Sequence, residues 1–132
     1  MRMKIVSVSL AILALAEAAQ AQATWRLTET LRIGGAETGP LAFVYTKSIE
    51  AHSKGRILIL DRKSQDIRVF APDGKLVRVI GRVGSGPGEF RDAEGIVIVP
   101  DGTLWVRDAA NARFSLFNAE GGFQASWTMN FC

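Results

Sequence analysis

The sequence predicts an all-β fold: antiparallel four-stranded propeller blades, two repeats of period 47, together an incomplete β-propeller. Three observations carry that reading. Between Gly81 and Gly122, three short apolar runs (Ile96–Val99, Leu104–Val106 and Phe114–Phe117) are separated by turn-forming residues, as strands of a meander are. Sliding the chain by 47 residues places Ile33 on Ile80, Gly34 on Gly81, Gly39-Pro40 on Gly86-Pro87, Phe43 on Phe90 and Ile49 on Ile96. It also places Gly55 on Gly102, Asp61 on Asp108, Phe70 on Phe117 and Gly74 on Gly121. These ten identities in 42 ungapped positions are turn glycines, a proline, a strand-end aspartate and core aromatics, the residues a repeated backbone would fix. Finally, no stretch after residue 23 keeps a helical period. A repeat of about 40–50 residues with about four strands is the signature of propeller blades.

Taken in order, residues 1–23 read as a secretory signal peptide. Arg2 and Lys4 give a positive start, Ile5–Ala16 an apolar run, and Ala19-Gln20-Ala21 and Ala21-Gln22-Ala23 two small-x-small cleavage sites. The run falls short of the roughly 20 residues of a membrane-spanning helix. The alternative is an amphipathic helix packed on the domain. On the leader reading the protein is exported, periplasmic or extracellular, with no membrane insertion after cleavage. Thr24–Ile33 follows, with Trp25, Leu27 and Leu31 two or four apart and Thr28 and Thr30 adding strand propensity. It predicts one strand, the outer strand of a ring-closing blade.

Blade 1 covers residues 34–80, with strands expected at Ser48–Ala51, Arg56–Leu60, Ile67–Phe70 and Lys75–Val79. Blade 2 covers 81–132, with strands at Gly95–Val99, Thr103–Arg107, Arg113–Phe117 and Phe123–Thr128. Ile96-Val97-Ile98-Val99 is apolar on both faces, which predicts an inner strand buried on both sides. Pro72-Asp73-Gly74, Pro100-Asp101-Gly102, Glu120-Gly121-Gly122 and Lys54-Gly55 put glycine where a tight hairpin needs positive φ.

Composition excludes several classes. The 132 residues are enough for one small domain. The net charge of +3, or +2 without the leader, is small, and basic residues are interleaved with acids, so no nucleic acid is expected as a partner. Cys132 is the only cysteine, which rules out an intramolecular disulfide and a cysteine-based zinc site. The glycine-rich Gly84–Gly88 lacks the Lys-Ser/Thr of a phosphate loop and opens a strand rather than a helix.

Blade 2 resembles an NHL repeat. The resemblance rests on Gly84-Ser85-Gly86-Pro87-Gly88-Glu89-Phe90, Gly95-Ile96, Asp101-Gly102, Val106 with Asp108, Asn111 with Arg113, and Phe117. Blade 1 is a degenerate copy: it keeps Gly39-Pro40, Phe43, Gly55, Asp61 and Phe70 but carries Ser64 and Asp66 in place of Asn and Arg. The resemblance implies a β-propeller, commonly six-bladed in secreted bacterial members. Such propellers mostly serve as binding scaffolds; a minority are metal-dependent lyases.

Single residues divide between structural and chemical readings. Asp61 and Asp108 could be metal or catalytic carboxylates, but their equal offset at a strand end favours Asx-type caps on backbone N–H groups. Arg113 suits either an anionic ligand or a neighbouring blade's carboxylate. His52 is the only histidine and reads as a solvated turn residue. Trp105 reads as packing between blades. Ser115 and Ser126 lack a histidine to form a triad. No catalytic residue, metal ligand or cofactor is assigned.

In a meander, the first and third connections of each blade leave on one side, the second connection and the inter-blade linker on the other. The long segments Gly34–Lys47 and Gly81–Glu94, with Asp61–Asp66 and Asp108–Arg113, share the second side, and long loops on a rigid scaffold concentrate recognition. The candidate ligand-binding residues there are Lys47, Arg62, Lys63, Arg91, Asp92, Glu94, Asn111 and Arg113. Their mixed charge favours a protein, peptide or glycan ligand. The reading is therefore an exported binding or sensor scaffold, with a metal-dependent lyase on the same architecture as the alternative. A ring of four blades needs about 190 residues and one of six about 280. The chain is accordingly expected to be an N-terminal fragment or an assembling protomer, with Ile96, Ile98 and Trp105 on open blade faces prone to self-association.

Overall fold

The computed structural model describes residues 25–130. The leader assigned to 1–23 lies outside the described residues, as do Thr24, Phe131 and Cys132. Eight strands follow one another: β1 (Thr46–Ala51), β2 (Ile57–Asp61), β3 (Asp66–Phe70), β4 (Leu76–Ile80), β5 (Ala93–Ile98), β6 (Leu104–Asp108), β7 (Arg113–Phe117) and β8 (Phe123–Thr128). They form two antiparallel sheets of order β1-β2-β3-β4 and β5-β6-β7-β8. These are the two expected blades, with strand ends shifted by at most two residues.

Register follows the side-chain pattern. In blade 1, Leu58 pairs with Val69, and Leu60 with Ile67; Ile67 in turn pairs with Ile80. Pairing residues share a face. That face packs on Ile96, Leu104, Val106 and Phe117 of blade 2 to make one core, closed by Phe90 from the linker and Ala93 at the start of β5. The innermost strands β1 and β5 lie side by side at the seam. The opposite face of blade 1 carries Ile59, Arg68 and Phe70, and the segment before β1 folds over it, with the Phe43 ring 6.1 Å from that of Phe70. One repeat later Phe90 meets Phe117 at 5.8 Å.

Three expectations need correction. The first concerns β5, which is buried on one face only: Ile96 is 3 % exposed and Val97 58 %. Ile96 faces blade 1, whereas Val97, Trp105 and Trp127 lie on the outward face of blade 2, so Ile96 is not on an open face. Trp105 does not pack between the two blades; it stacks on Trp127 with centroids 5.0 Å apart. Lastly, residues 25–33 form no strand. Trp25 and Leu27 are 90 % and 98 % exposed, because strand propensity without a hydrogen-bonding neighbour makes no ladder. The end of that segment nevertheless lies against blade 1. A Cβ on Gly74 would sit 2.7 Å from Leu31 Cδ1 and 3.9 Å from Ile33 Cγ1. One on Gly121 would meet Ile80 Cδ1 at 2.9 Å and Arg78 Cδ at 3.2 Å, which is the same contact one period on.

The hairpin glycines behave as their sequence requires. Gly102 has φ +91° and Gly55 φ +76°, a region costly for any residue with a Cβ. A Cβ at Gly102 would stand 2.8 Å from that of Ala119, and one at Gly55 would stand 3.0 Å from Pro72 Cγ. Gly102→Val and Gly55→Val are each expected to lose about 1–3 kcal/mol of stability, read by urea denaturation. Unchanged midpoints in both would contradict the turn geometry.

Candidate functional site

The long-loop side is built on two buried aspartates. Asp61 ends β2, and its carboxylate accepts the amide N–H groups of Val44 (2.8 Å), Tyr45 (3.2 Å) and Lys63 (2.8 Å). Asp108 ends β6 and accepts those of Arg91 (3.2 Å), Asp92 (2.9 Å) and Asn111 (3.4 Å), plus Asn111 Nδ2 (2.6 Å). Each aspartate thus ties an inter-blade linker to the strand end of its own blade. Both are backbone anchors, as the repeat implied.

Burial alone would raise the Asp61 pKa, but the amides of Val44, Lys63, Tyr45 and Ser64 together hold it below the ordinary carboxylate value of 3.8. A lowered folded-state pKa gives stability that is complete above the unfolded value and lost as pH falls through the folded one. The stability difference between the native chain and Asp61→Asn should therefore be full at neutral pH and shrink below about pH 4. Thermal melts across that range check it; a difference constant with pH would contradict it.

An arginine on the same face as each aspartate also grips the linker. Arg113 donates to the carbonyls of Ser85 (3.0 Å), Gly86 (2.7 Å) and Glu89 (2.8 Å). Blade 1 has Asp66 at that position, and Arg68 takes over the role. It is 5 % exposed and donates to the carbonyls of Pro40 (3.0 Å) and Ala42 (2.7 Å), Ala42 being the counterpart of Glu89. Residues two apart on a strand share a face, so the arginine has moved along β3 without changing sides. The sequence signal was an arginine inside the apolar run Ile67–Phe70.

The eight candidate residues fall into three groups. Asn111 and Arg113 point inward and hold the linker, Asn111 through Gly84 O (3.0 Å) and Asp108; they are structural. Arg62 donates to Asp92 at 2.5 Å, joining the β2–β3 turn of blade 1 to the linker of blade 2, while Glu94 pairs with Arg107. Hydrogen bonding by Arg62 lowers the Asp92 pKa, with Lys47 and Arg107 adding to the effect from nearby. Lys47, Lys63 and Arg91 are exposed. Sequence reasoning missed Gln65, whose buried side chain donates to Arg62 O (2.5 Å) and accepts the Ala93 N–H (2.8 Å), clamping blade 1 to blade 2.

The tight-turn side departs further from expectation. His52 is not solvated: it is 9 % exposed, because its ring lies in the seam beside Gly102 of the next blade. Among the described residues, no group of three His, Cys, Asp or Glu side chains could hold a metal ion.

Two four-stranded meanders packed face to face, each with its linker folded over one face, are blades of a β-propeller. Residues 41–132 match the DUF5128 family, described as a 6-bladed beta-propeller, and the chain belongs to that family. Among solved structures it is similar to a "Putative exported protein" from Bacteroides fragilis, with a TM-score of 0.62 and 25 % identity over 68 % of this chain. The chain spans 26 % of that protein's length. No curated protein matches it.

Proposed function

We propose that the chain is part of an exported, NHL-type β-propeller that acts as a binding scaffold, with the long-loop side as its recognition surface. The observation that carries this reading is the double anchoring of both linkers, by Asp61 and Arg68 in blade 1 and by Asp108 and Arg113 in blade 2. Loops held this way form a preorganised surface, which reduces the ordering cost of binding. Arg62–Asp92 and Arg107–Glu94 neutralise one another in pairs, leaving the exposed Lys47, Lys63 and Arg91 to meet a carboxylate-bearing peptide, protein or glycan. Export is supported by the leader pattern in 1–23 and by the description of the B. fragilis protein. Although residues 25–33 form no strand, Leu31 and Ile33 meet Gly74 as Arg78 and Ile80 of β4 meet Gly121, which supports reading the end of this segment as holding the place of an outer strand in a ring-closing blade.

The test is a screen of arrayed acidic peptides and glycans with the native chain and the triple variant Lys47→Ser/Lys63→Ser/Arg91→Ser. Binding by the native chain that the triple variant loses while keeping its melting temperature is expected. Equal retention by both would contradict the assigned surface. For export, intact mass of protein from an exporting host should show an N-terminus at Gln22 or Thr24; soluble protein retaining residues 1–21 would contradict it.

A further inference from the structure

On the tight-turn side, the seam between the blades forms a partly open pocket of about 40 Å³ with an apolar floor that includes Leu58, Val69 and Leu104, where a single water needs about 10–15 Å³. His52, Lys54, Arg56 and Arg78 of blade 1 and Asp101 and Asn118 of blade 2 form its polar wall. His52 Nε2 and Arg78 Nε are buried there with no partner among the described residues. The Lys54 amide donates to His52 Nδ1 at 3.3 Å, so the ring hydrogen sits on Nε2. That atom faces Gly102, at 3.9 Å from the position a Cβ would take. Both orphan atoms are therefore donors, and a buried donor calls for an acceptor. A metal ion needs lone pairs and does not suit them.

The surrounding charge points the same way. Three cationic side chains face one carboxylate, and that carboxylate is engaged in its own turn, accepting the Thr103 amide at 2.8 Å. Nor does the blade architecture demand these groups. One period on, the positions of His52, Arg56 and Arg78 hold Val99, Thr103 and Ala125, and the same hairpin is built around them. The polar set thus belongs to this seam and not to the repeat.

We propose that the seam is a binding site for a free oxyanion of phosphate or sulfate size, accepting from His52 Nε2–H and the Arg78 guanidinium, with Lys54 and Arg56 adding positive potential. It is separate from the long-loop surface, and either can fail without the other.

Because His52 is the only histidine, its imidazole can be followed by nitrogen NMR without further assignment. The full chain is titrated at one pH with sodium phosphate and, separately, with sodium sulfate, against sodium chloride at matched ionic strength. A saturable shift of His52 Nε2 with a Kd of about 1 mM is expected for at least one oxyanion and not for chloride; the better of the two identifies the preferred anion. Arg78→Gln should weaken that binding about tenfold or more, while Lys75→Gln, an exposed charge outside the pocket, should leave it unchanged. Should Arg78→Gln not fold, Arg56→Gln should weaken binding severalfold. A shift that is linear or equal with chloride, or a saturable one that the folded arginine variants leave untouched, would overturn the proposal.

Discussion

Arg68→Ala should cost about 3–5 kcal/mol, the range for removing one partner from a buried ionic cluster. Arg68 is 5 % exposed. Its guanidinium donates to Asp66 (3.1 Å), to Ser64 Oγ (3.2 Å) and to the two linker carbonyls, and it lies 4.6 Å over the Phe43 ring. Asp61, fully buried, stands 3.8 Å away. Truncation would leave the Asp66 carboxylate and two carbonyls without their donor, take the counter-charge from the buried Asp61 and open a void under Phe43. Against a typical total stability of about 5–15 kcal/mol, the variant should be largely unfolded in mild urea. The companion test is Asp66→Arg with Arg68→Ser, which writes the blade 2 arrangement into blade 1. It should recover a clear part of the loss, because an arginine two residues back lies on the same face. A urea midpoint for Arg68→Ala equal to that of the native chain would show that the linker is held by something else.

Gly81→Ala is expected to cost about 2–5 kcal/mol, combining overpacking and a left-handed backbone. Gly81 has φ +85°, and a Cβ there would fall 2.1 Å from Phe90 Cε2 and 2.6 Å from Cδ2. The Phe90 ring is fully buried and wedged against Phe117, so it cannot swing aside. The counterpart Gly34 has φ +100°, but its nearest neighbour, Phe43 Cδ2, is 3.1 Å away. Gly34→Ala should therefore cost clearly less, and the order of the two midpoints is the readout. Phe90→Leu should cost less in the Gly81→Ala background than alone, since the smaller side chain relieves the clash that the alanine creates. Equal costs at Gly34 and Gly81 would contradict the packing of Phe90.

What the sequence made legible was local. The eight strands and their hairpins depend on alternation and on glycines at fixed offsets, so a 47-residue period displayed them. Asp61 and Asp108 were legible for the same reason. What escaped depended on distant partners. His52 is buried by Gly102, 50 residues away, and no local pattern announces that. Arg68 escaped a position-by-position alignment because the pleat lets either of two positions reach the same carbonyl. The strand expected at Thr24–Ile33 has the right side chains, but a ladder also needs a neighbour. Of the eight candidate binding residues, Asn111 and Arg113 belong to the scaffold. Polarity in a long loop does not distinguish a residue that holds the loop from one that uses it.

Amide hydrogen exchange of Val44, Tyr45, Arg91 and Asp92 tests most directly whether the long-loop side is a rigid platform. These residues lie in linkers outside the main ladders, yet their N–H groups end on Asp61 and Asp108. They should exchange as slowly as ladder amides such as those of Leu60 and Val106, and Asp108→Ala should speed Arg91 and Asp92 while sparing Val44 and Tyr45. Exchange of all four at the rate of an unstructured chain, with the ladders still protected, would show that the linkers are not held and that the face is not preorganised.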